Sequence, residues 1–527
     1  MLGGMQDFEL RVPRLLDHAA REHGARKVVT RWADGGETRC DWAGIAHDAR
    51  RFAQALGRLG IAPGDRVATL AMNHANHLIA WYGVIGMGGV VHTINPRLFD
   101  EQLVYIANHA GDRVLLYDTA FQPIIDRLKP RWTSIERYIA FDDGSFDALL
   151  DADDGDYRWR EGSEREPCML CYTSGTTGNP KGVLYDHRST VLHAMNATQP
   201  WVMGLSSRDT VLPVVPMFHA AAWGLPFAAP LSGAALTLSQ TNEAAVLCDL
   251  MHAEGVTVAG GVPTVWLAFF QHLDSGAEVP PSLKQITVGG SAAPRAMLAR
   301  FLDLGIKPTH LWGMTETSPV ATALAPRPDW EELDREAQLD IIGRQGAAPF
   351  GIELRIVDDE GVELPRDGAT SGRLQVRGPW VVKRYFGAEQ DAADADDWFD
   401  TGDVAILHPD GTMQITDRAK DVIKSGGEWI SSVELENAAV GCPGVAEAAA
   451  IGIAHPKWGE RPLLVVVRKA GSDVTADAIR AHLAENVAKW WLPDEIVFVD
   501  ALPHTATGKL LKTALREQFK DYALRAA

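Results

Sequence analysis

In the N-terminal region, short apolar runs of the length of strands alternate with longer segments of the length of helices. Short apolar runs such as 66–71 and 89–94 have the length of strands, whereas the segment 76–87 between them is long enough for a helix. A helix over 99–109 and a strand over 113–117 continue the alternation. Strands and helices that alternate at these lengths predict βαβ units and a parallel-rich, covered sheet. We therefore expect an α/β fold.

A different pattern begins at Gly351. Three short strand-like runs, 352–357, 372–377 and 412–416, are separated by turns that include Asp-Gly pairs. Such pairs favour the tight turns that join antiparallel strands. The pattern predicts a small β subdomain at the end of the large domain.

The alternation of helices and strands restarts past Asp417. Ser431 and Glu434 have the spacing of a capping box at the start of a helix, and three strands and a second helix follow. A chain of 527 residues is also too long for a single hydrophobic core. We therefore predict a large N-terminal domain of residues 1–417 and a small α+β C-terminal domain of residues 418–527.

The composition, with 46% hydrophobic and 23% charged residues, is typical of a globular protein. A net charge of −19 argues against nonspecific binding to nucleic acid or anionic membranes. The long apolar stretch 212–239 is interrupted by prolines, which predicts a packed pocket wall and no integral membrane span. No signal peptide is evident, and five cysteines, an odd number, favour a reducing compartment. These features predict a cytoplasmic protein.

Two pairs of residues have spacings that also occur in metal sites. Cys168 and Cys171 form a C-x-x-C pair, but it lies inside an apolar strand and has no second pair to complete a zinc site. His74 and His77 are predicted to lie on the surface of a helix. We interpret both pairs as structural.

The most distinctive segment is the glycine-rich loop Tyr172-Thr-Ser-Gly-Thr-Thr-Gly-Asn-Pro-Lys-Gly182. Strand-like apolar runs precede and follow it, so its hydroxyls and N–H groups are expected at the edge of a sheet. Such a loop suits a polyphosphate, because glycines let the backbone approach the anion and Lys181 adds a positive charge. It is not a Walker A loop, since Pro180 precedes the lysine and Gly182 follows it. Taken alone, the loop is also compatible with an ordinary polar hairpin.

Four further motifs follow this loop in order: Trp312-Gly-Met-Thr-Glu316, Thr401-Gly-Asp403, Asp417-Arg-Ala-Lys420 and Pro503-His-Thr-Ala-Thr-Gly-Lys509. Together with the loop they resemble the adenylate-forming superfamily, which includes acyl- and aryl-CoA synthetases, adenylation domains of peptide synthetases, and beetle luciferases. The resemblance extends over nearly the whole chain. It departs from a common family pattern at Trp312, where tyrosine is usual; an indole still stacks on adenine.

The resemblance implies an acyl-CoA synthetase whose small C-terminal domain is hinged to the large one. The implied cofactors are ATP, Mg²⁺ and coenzyme A, and the implied substrate is a small carboxylic acid. The residues implied in the chemistry are Lys509, Lys424, Glu316 and His219. Lys509 would neutralise charge between the carboxylate and the α-phosphate, Thr173 and Glu316 would hold Mg²⁺, and Lys420 matches the hinge. His219 is also compatible with a satisfied core histidine.

Other residues are implied in binding by their place in the matched motifs. Those implied in contacts with the nucleotide or CoA are Thr173, Ser174, Gly175, Thr176, Thr177, Gly178, Lys181, Gly290, Ser291, Ala292, Ala293, Pro294, Trp312, Gly313, Met314, Thr315, Asp403, Ile415, Arg418, Gly426, Gly427, Glu428 and Trp429. Those implied in the acyl pocket are Phe218, Trp223, Val262, Trp266, Val288 and Gly289. Without the other motifs, the turn 288–294 would be explained equally well as a tight connection between a strand and a helix.

The runs 92–97, 426–431 and 489–493 resemble the branch of medium-chain fatty-acid ligases and 3-methylthiopropionate ligases. We therefore expect a ligase for medium- to long-chain fatty acids, with 3-methylthiopropionate as the alternative acid. The motifs are also compatible with a carrier-loading adenylase and with a non-catalytic nucleotide or acyl sensor. The resemblance also implies a homodimer.

Overall fold

The computed structural model describes residues 3–173, 179–324, 327–426, 428–504, 510–520 and 522, with the backbone alone at 428 and 429. Its helices are α1 Pro13–Glu22, α2 Trp42–Arg58, α3 Ala75–Met87, α4 Asp100–Ala110, α5 Gln122–Leu128, α6 Ser145–Asp151, α7 His187–Ala197, α8 Leu225–Ser232, α9 Ala244–Glu254, α10 Pro263–Asp274, α11 Arg295–Asp303, α12 Arg335–Gly343, α13 Ser432–Val440, α14 Ala476–Asn486 and α15 Lys512–Gln518. Among these described residues, no helix is both long enough and apolar enough to cross a membrane.

The strands are β1 Lys27–Arg31, β2 Glu37–Asp41, β3 Arg66–Leu70, β4 Val90–Thr93, β5 Asp112–Tyr117, β6 Arg137–Ala140, β7 Pro167–Tyr172, β8 Gly182–Asp186, β9 Thr210–Pro213, β10 Ala235–Ser239, β11 Val258–Gly261, β12 Gln285–Val288, β13 Lys307–Gly313, β14 Val320–Ala323, β15 Glu353–Val357, β16 Ser371–Arg377, β17 Phe399–Leu407, β18 Met413–Arg418, β19 Ile423–Ser425, β20 Glu428–Ile430, β21 Val445–His455, β22 Gly459–Arg468 and β23 Glu495–Phe498.

Two large, mostly parallel sheets form the N-terminal part. One has the order β14-β13-β12-β11-β9-β10-β1-β2 and the other β6-β5-β3-β4-β7-β8. Among the described strands, antiparallel pairs occur in these two sheets only at the edges, where β2, β14 and β8 pair with their neighbours. The α/β architecture and the parallel-rich sheets predicted from the sequence are therefore confirmed. Burial on both faces explains the nearly continuous apolar run of β7.

Two smaller sheets follow. The antiparallel sheet β15-β16-β17-β18 is the predicted β subdomain, and the last sheet, β20-β19-β22-β21 with β23 beside β22, is built from strands that begin at residue 423 or later. Ser431 caps α13, since its side chain accepts a hydrogen bond from the backbone N–H of Glu434. A separate hydrophobic cluster around Leu435, Ala450 and Leu464 lies between α13, α14 and this sheet.

The prediction that His74 and His77 lie on a helix surface is wrong, because both side chains are fully buried. His74 is the N-cap of α3, where its Nδ1 accepts from the N–H of His77 and its Nε2 lies 2.8 Å from the Asp118 carboxylate. Hydrogen bonds to Met72 and Thr69 satisfy the ring of His77. Burial is tolerated because the ring nitrogens of both histidines have hydrogen-bond partners.

Cys168 and Cys171 are both free and buried in β7. Residues three apart in a strand point to opposite faces, and the two sulfurs accordingly contact different hydroxyls, those of Thr190 and Thr93. Burial raises the pKa of the Cys168 thiol to about 12 and that of the Cys171 thiol to about 11. Both thiols are therefore kept protonated and unreactive.

Candidate active site

The glycine-rich loop connects two antiparallel strands, β7 and β8, as the sequence predicts. Its base is closed by two hydrogen bonds: the N–H of Thr173 donates to the Lys181 carbonyl at 2.9 Å, and the N–H of Lys181 donates to Oγ1 of Thr173 at 3.1 Å. These bonds fix the two ends of the loop against each other. The predicted phosphate contacts at 174–178 lie outside the described residues.

Glu316 and Lys181 both contact one tyrosine, Tyr385. The hydroxyl of Tyr385 donates to Oε1 of Glu316 at 2.8 Å, and the Lys181 ammonium is 4.8 Å from the centre of the Tyr385 ring. Burial raises the pKa of the Glu316 carboxyl, while the Tyr385 hydroxyl and the charges of Arg418 and Lys181 offset part of that rise. A cationic group and a carboxylate thus lie beside the base of the loop.

The hairpin between β13 and β14 carries the motif 312–316. Gly313 has no room for a side chain, because a Cβ atom there would lie 1.7 Å from the Pro319 carbonyl oxygen. The N–H of Met314 donates to the same carbonyl at 3.1 Å. The hydroxyl of Tyr185, on β8, donates to the carbonyl of Thr315 at 2.7 Å. The hairpin is therefore tied both to itself and to the strand that follows the glycine-rich loop.

Trp312, Asp403 and Arg418 form a second polar group. The indole Nε1 of Trp312 donates to Oδ2 of Asp403 at 3.0 Å, and Nε of Arg418 lies 2.8 Å from Oδ1 of the same carboxylate. Asp403 and Arg418 face each other in the β17–β18 ladder, which explains why two motifs 15 residues apart meet. Asp403 is only 2% exposed, and such a carboxylate needs these partners. Nearby on β18, the N–H of Ile415 donates to the Gln345 side chain at 2.6 Å.

The small-residue turn 289–294 follows β12. Gly290 has a φ of +80°, and a Cβ atom at Gly289 would lie 3.0 Å from the carbonyl oxygen of Leu311. A Cβ atom at Gly290 would lie 3.2 Å from the Val262 side chain. The turn is therefore a flat backbone surface beside β13, and Ala293 and Pro294 lead from it into α11.

Trp223 lies over this glycine surface. A methyl group at Gly289 would be 3.5 Å from Cη2 of the indole, and one at Gly260 would be 3.8 Å from Cε3. Four consecutive residues, 220–223, have a positive φ, which for residues other than glycine costs about 1–2 kcal/mol each. The chain holds this unfavourable backbone where it places the indole against the two glycines.

The other predicted pocket residues separate into two places. Phe218 and His219 line a small cavity together with Thr93, Asn95 and Tyr172. Trp266 is fully buried in a second hydrophobic cluster, to which Val288 also belongs, and packs edge-on against Phe269 and Phe301. Its indole N–H donates to the Gly261 carbonyl at 3.0 Å. Trp223, Val262 and Gly289 are thus adjacent, whereas Trp266 lies in the core behind them.

In the C-terminal part, β19 carries Lys424, whose backbone N–H donates to Glu460 at 2.9 Å. Gly426 has a φ of +64°, and its N–H donates to the Trp458 carbonyl at 2.7 Å. Lys420 precedes this sheet on the connection from β18. Gly427, the side chains of Glu428 and Trp429, and Lys509 lie outside what the structure describes.

Similarity to known proteins identifies the family of this chain. Residues 16–386 match the AMP-binding enzyme family, and residues 434–509 match the AMP-binding enzyme C-terminal domain. The chain belongs to the AMP-binding enzyme family. It is 47% identical to the 3-methylmercaptopropionyl-CoA ligase of Ruegeria lacuscaerulensis, over 99% of both chains. It is 45% identical to the medium-chain-fatty-acid–CoA ligase of Ectopseudomonas oleovorans, over 100% of this chain and 99% of the relative.

A solved structure has the same fold. The anthranilate CoA ligase AuaEII, in complex with anthranoyl-AMP, has a TM-score of 0.87 with 23% identity, over 98% of this chain and 99% of that one. The predicted resemblance and fold are therefore confirmed. AMP-forming acid–thiol ligase is the enzyme class that the chain shares with its curated relatives.

For this member of the AMP-binding enzymes, three polar contacts of the site were not predicted from the sequence. They are made by Tyr385 on Glu316, by Tyr185 on the Thr315 carbonyl, and by Gln345 on the N–H of Ile415. Each of the three residues lies outside the recognised motifs. The only signal for Tyr385 is a hydroxyl-bearing aromatic residue next to the basic pair Lys383-Arg384.

Magnesium in an AMP-binding enzyme would be bound together with substrate phosphates. The described residues contain no group of three or more His, Cys, Asp or Glu side chains arranged to hold a metal ion. Mg²⁺ bound with phosphates needs only one or two carboxylates, so a buried Glu316 beside the loop fits that mode.

Proposed function

We propose that the protein is an ATP-dependent acyl-CoA synthetase for apolar carboxylic acids. In the first step a carboxylate oxygen attacks the α-phosphorus of ATP, the bond to the bridging oxygen breaks, and pyrophosphate leaves. In the second step the CoA thiolate attacks the acyl carbonyl carbon, and AMP leaves with the bonding pair. The products are acyl-CoA, AMP and pyrophosphate.

One observation carries this proposal: one polar group lies beside the glycine-rich loop, and a second lies at the β17–β18 ladder. Lys181 and Glu316 lie at the base of the glycine-rich loop, where they would bind the phosphates. Asp403, held in place by Trp312 and Arg418, would accept hydrogen bonds from the ribose hydroxyls. The turn that begins at Gly290 would provide a backbone surface for adenine. Catalysis in such a site is mostly positioning and charge neutralisation.

Mg²⁺ would be held by Glu316 and the hydroxyl of Thr173, together with phosphate oxygens. When bound, it would neutralise charge on the phosphates. Glu316 itself contributes a carboxylate whose orientation is set by the Tyr385 hydroxyl. Thr173 contributes an oxygen that is fixed by the N–H of Lys181.

For the second step we propose a rotation of the C-terminal domain about Lys420, with the domain boundary between 417 and 418. The segment from Lys424 to Trp429 would then approach the site and line a path for pantetheine, and His219 would open or close that path to the acyl pocket. The cavity bordered by His219, Phe218 and Tyr172 supports this role for the histidine. Cytoplasmic location and a homodimer stay predictions.

We base the proposal for the acid substrate on the position of the Trp223 side chain. Its indole covers the surface formed by Gly260 and Gly289, and this favours a short apolar acid such as 3-methylthiopropionate when the ring keeps this position. A medium-chain fatty acid would require the ring to move aside. Both acids are consistent with the names of the relatives at 47% and 45% identity.

The experiment that tests the function measures AMP release with ATP, Mg²⁺ and CoA across acetate, butyrate, hexanoate, octanoate, palmitate, 3-methylthiopropionate and benzoate. We expect CoA-dependent turnover with a maximum either at the short thioether or between hexanoate and octanoate. AMP release at the same rate with and without CoA would identify a carrier-loading adenylase instead. Binding of ATP without turnover of any acid would identify a sensor.

Replacing Trp223 with alanine should shift the preference towards longer acids. Removing the indole opens space above Gly289, so the ratio of kcat/KM for octanoate over 3-methylthiopropionate should rise about tenfold or more. Trp223→Leu, which leaves a smaller cavity, should shift the ratio in the same direction by less. Phe350→Ala removes an aromatic ring that is 94% exposed and should leave the ratio unchanged. An unchanged ratio in both Trp223 variants would contradict the assignment.

A further inference from the structure

Tyr385 touches two groups of opposite charge with two different parts of its side chain. Its hydroxyl donates to Oε1 of Glu316 at 2.8 Å, and its ring centre lies 4.8 Å from the ammonium of Lys181. A hydroxyl that donates to a carboxylate makes a strong, directional bond, and an aromatic face attracts a cation. One side chain therefore restrains both a carboxylate and a cation of the site.

The backbone around Tyr385 is attached to the same two elements. The N–H of Val382 donates to the Glu316 carbonyl at 2.7 Å, and the N–H of Phe386 donates to the Gly182 carbonyl at 2.8 Å. The segment 382–386 thus bridges the hairpin that carries Glu316 and the strand that begins after Lys181. The tyrosine is fixed at both ends, so its ring position is set by the elements that it connects.

Lys181 and Glu316 carry opposite charges, and both contact Tyr385. A lysine and a carboxylate in a partly buried site attract each other more strongly than in water. In a direct ion pair, each group would neutralise the charge of the other. That ion pair would have to break before the lysine could bind phosphates and the carboxylate could bind a metal ion. In the described part of the chain Lys181 lies over the ring of Tyr385.

We propose that Tyr385 is a positioning residue for nucleotide binding: its hydroxyl orients the Glu316 carboxylate, and its ring keeps the Lys181 ammonium from pairing with that carboxylate. This inference rests on the proposed ATP-binding role of the site. It assigns the hydroxyl to metal-dependent binding, through Glu316, and the ring to phosphate binding, through Lys181. The two parts can therefore be separated by substitution.

The test compares Tyr385→Phe and Tyr385→Leu by calorimetric titration with ATP, once with Mg²⁺ and once with EDTA. Tyr385→Phe keeps the ring and should weaken binding of Mg-ATP about tenfold, while binding of metal-free ATP stays unchanged. Tyr385→Leu removes the ring and should weaken both. Adding Glu316→Gln to Tyr385→Leu removes the competing carboxylate and should restore the affinity for metal-free ATP.

Tyr117→Phe is the matched control, because it removes a hydroxyl that bonds to Gln122 at 2.7 Å in another part of the fold. It should leave both affinities unchanged. If Tyr385→Phe binds Mg-ATP as tightly as the wild type, or if Glu316→Gln restores nothing, the positioning role is refuted, whatever the change in thermal stability. The proposed function is judged separately, by Mg-ATP binding and AMP release of the wild-type protein.

Discussion

Replacing Lys509 with alanine should lower the rate of adenylate formation about 10²–10³-fold while Mg-ATP still binds. The attack of a carboxylate on the α-phosphate brings two negative groups together, and the ammonium would neutralise the charge that develops between them. The described residues on either side of 505–509 are held together, since His504 and Leu510 form a β-bridge and the N–H of Leu511 donates to the Pro503 carbonyl at 2.8 Å. Acid-dependent pyrophosphate exchange measures the rate, and calorimetry measures nucleotide binding.

Lys520→Ala is the control for this prediction, because it removes another lysine near the C-terminus that pairs only with Glu517 among the residues the structure describes. It should retain full activity. Acyl-adenylate supplied to Lys509→Ala with CoA should still be converted, because the lysine is assigned to the first step. Loss of nucleotide binding in Lys509→Ala would favour a sensor over an enzyme. Unchanged pyrophosphate exchange would refute the catalytic assignment.

Much of the fold follows from local patterns that the sequence shows directly. The helix and strand alternation from Arg66 to Tyr117 is observed with boundaries shifted by at most one residue, because the lengths of the apolar runs distinguish strands from helices there. The long strand β17 was not predicted. The motif Thr401-Gly-Asp403 interrupts its alternation, and Gly402 has a φ of +71°. A residue that breaks the strand pattern makes the strand hard to predict from the sequence, but it indicates the position of the functional site.

The site itself was predictable only as far as its motifs reach. The motifs identify Asp403 and Arg418, but their contact depends on the register of β17 and β18, which a sequence pattern does not specify. The place of Tyr385 in the site depends on a loop that connects two elements far apart in the chain. No local sequence pattern therefore predicts its contact with Glu316. The same limit explains the error at His74, since its burial depends on Asp118, 44 residues away.

The contacts also separate rigid parts of the site, which carry the groups assigned to ATP, from a segment that connects those parts. Strand ends and tight turns carry the groups assigned to ATP, because a flat backbone surface and fixed hydrogen bonds cost little reorganisation during the reaction. The segment 382–386 adds connections between those parts. Substitutions at the connections should therefore change nucleotide affinity, whereas substitutions that deform the turns should change both affinity and stability.

Gly313→Ala is expected to have the second large effect, on stability and activity together. A Cβ atom at this position would lie 1.7 Å from the Pro319 carbonyl oxygen, a backbone atom that cannot rotate away. The hairpin would have to open, which should lower the free energy of unfolding by about 3 kcal/mol. Trp312 and Glu316 lie on either side of the displaced turn, so adenylate formation should also fall by at least about tenfold.

Gly343→Ala is the matched control, because a Cβ atom at Gly343 has no neighbour within 4 Å among the described residues. It should change the stability by less than about 1 kcal/mol in either direction. Thermal unfolding followed by tryptophan fluorescence, together with pyrophosphate exchange, measures both effects. Gly313→Ala could prove as stable and as active as Gly343→Ala. The hairpin would then accommodate a methyl group at position 313, which the short distance to the Pro319 carbonyl rules out. The rigid placement of Trp312 and Glu316 would then be contradicted, because their positions depend on that contact.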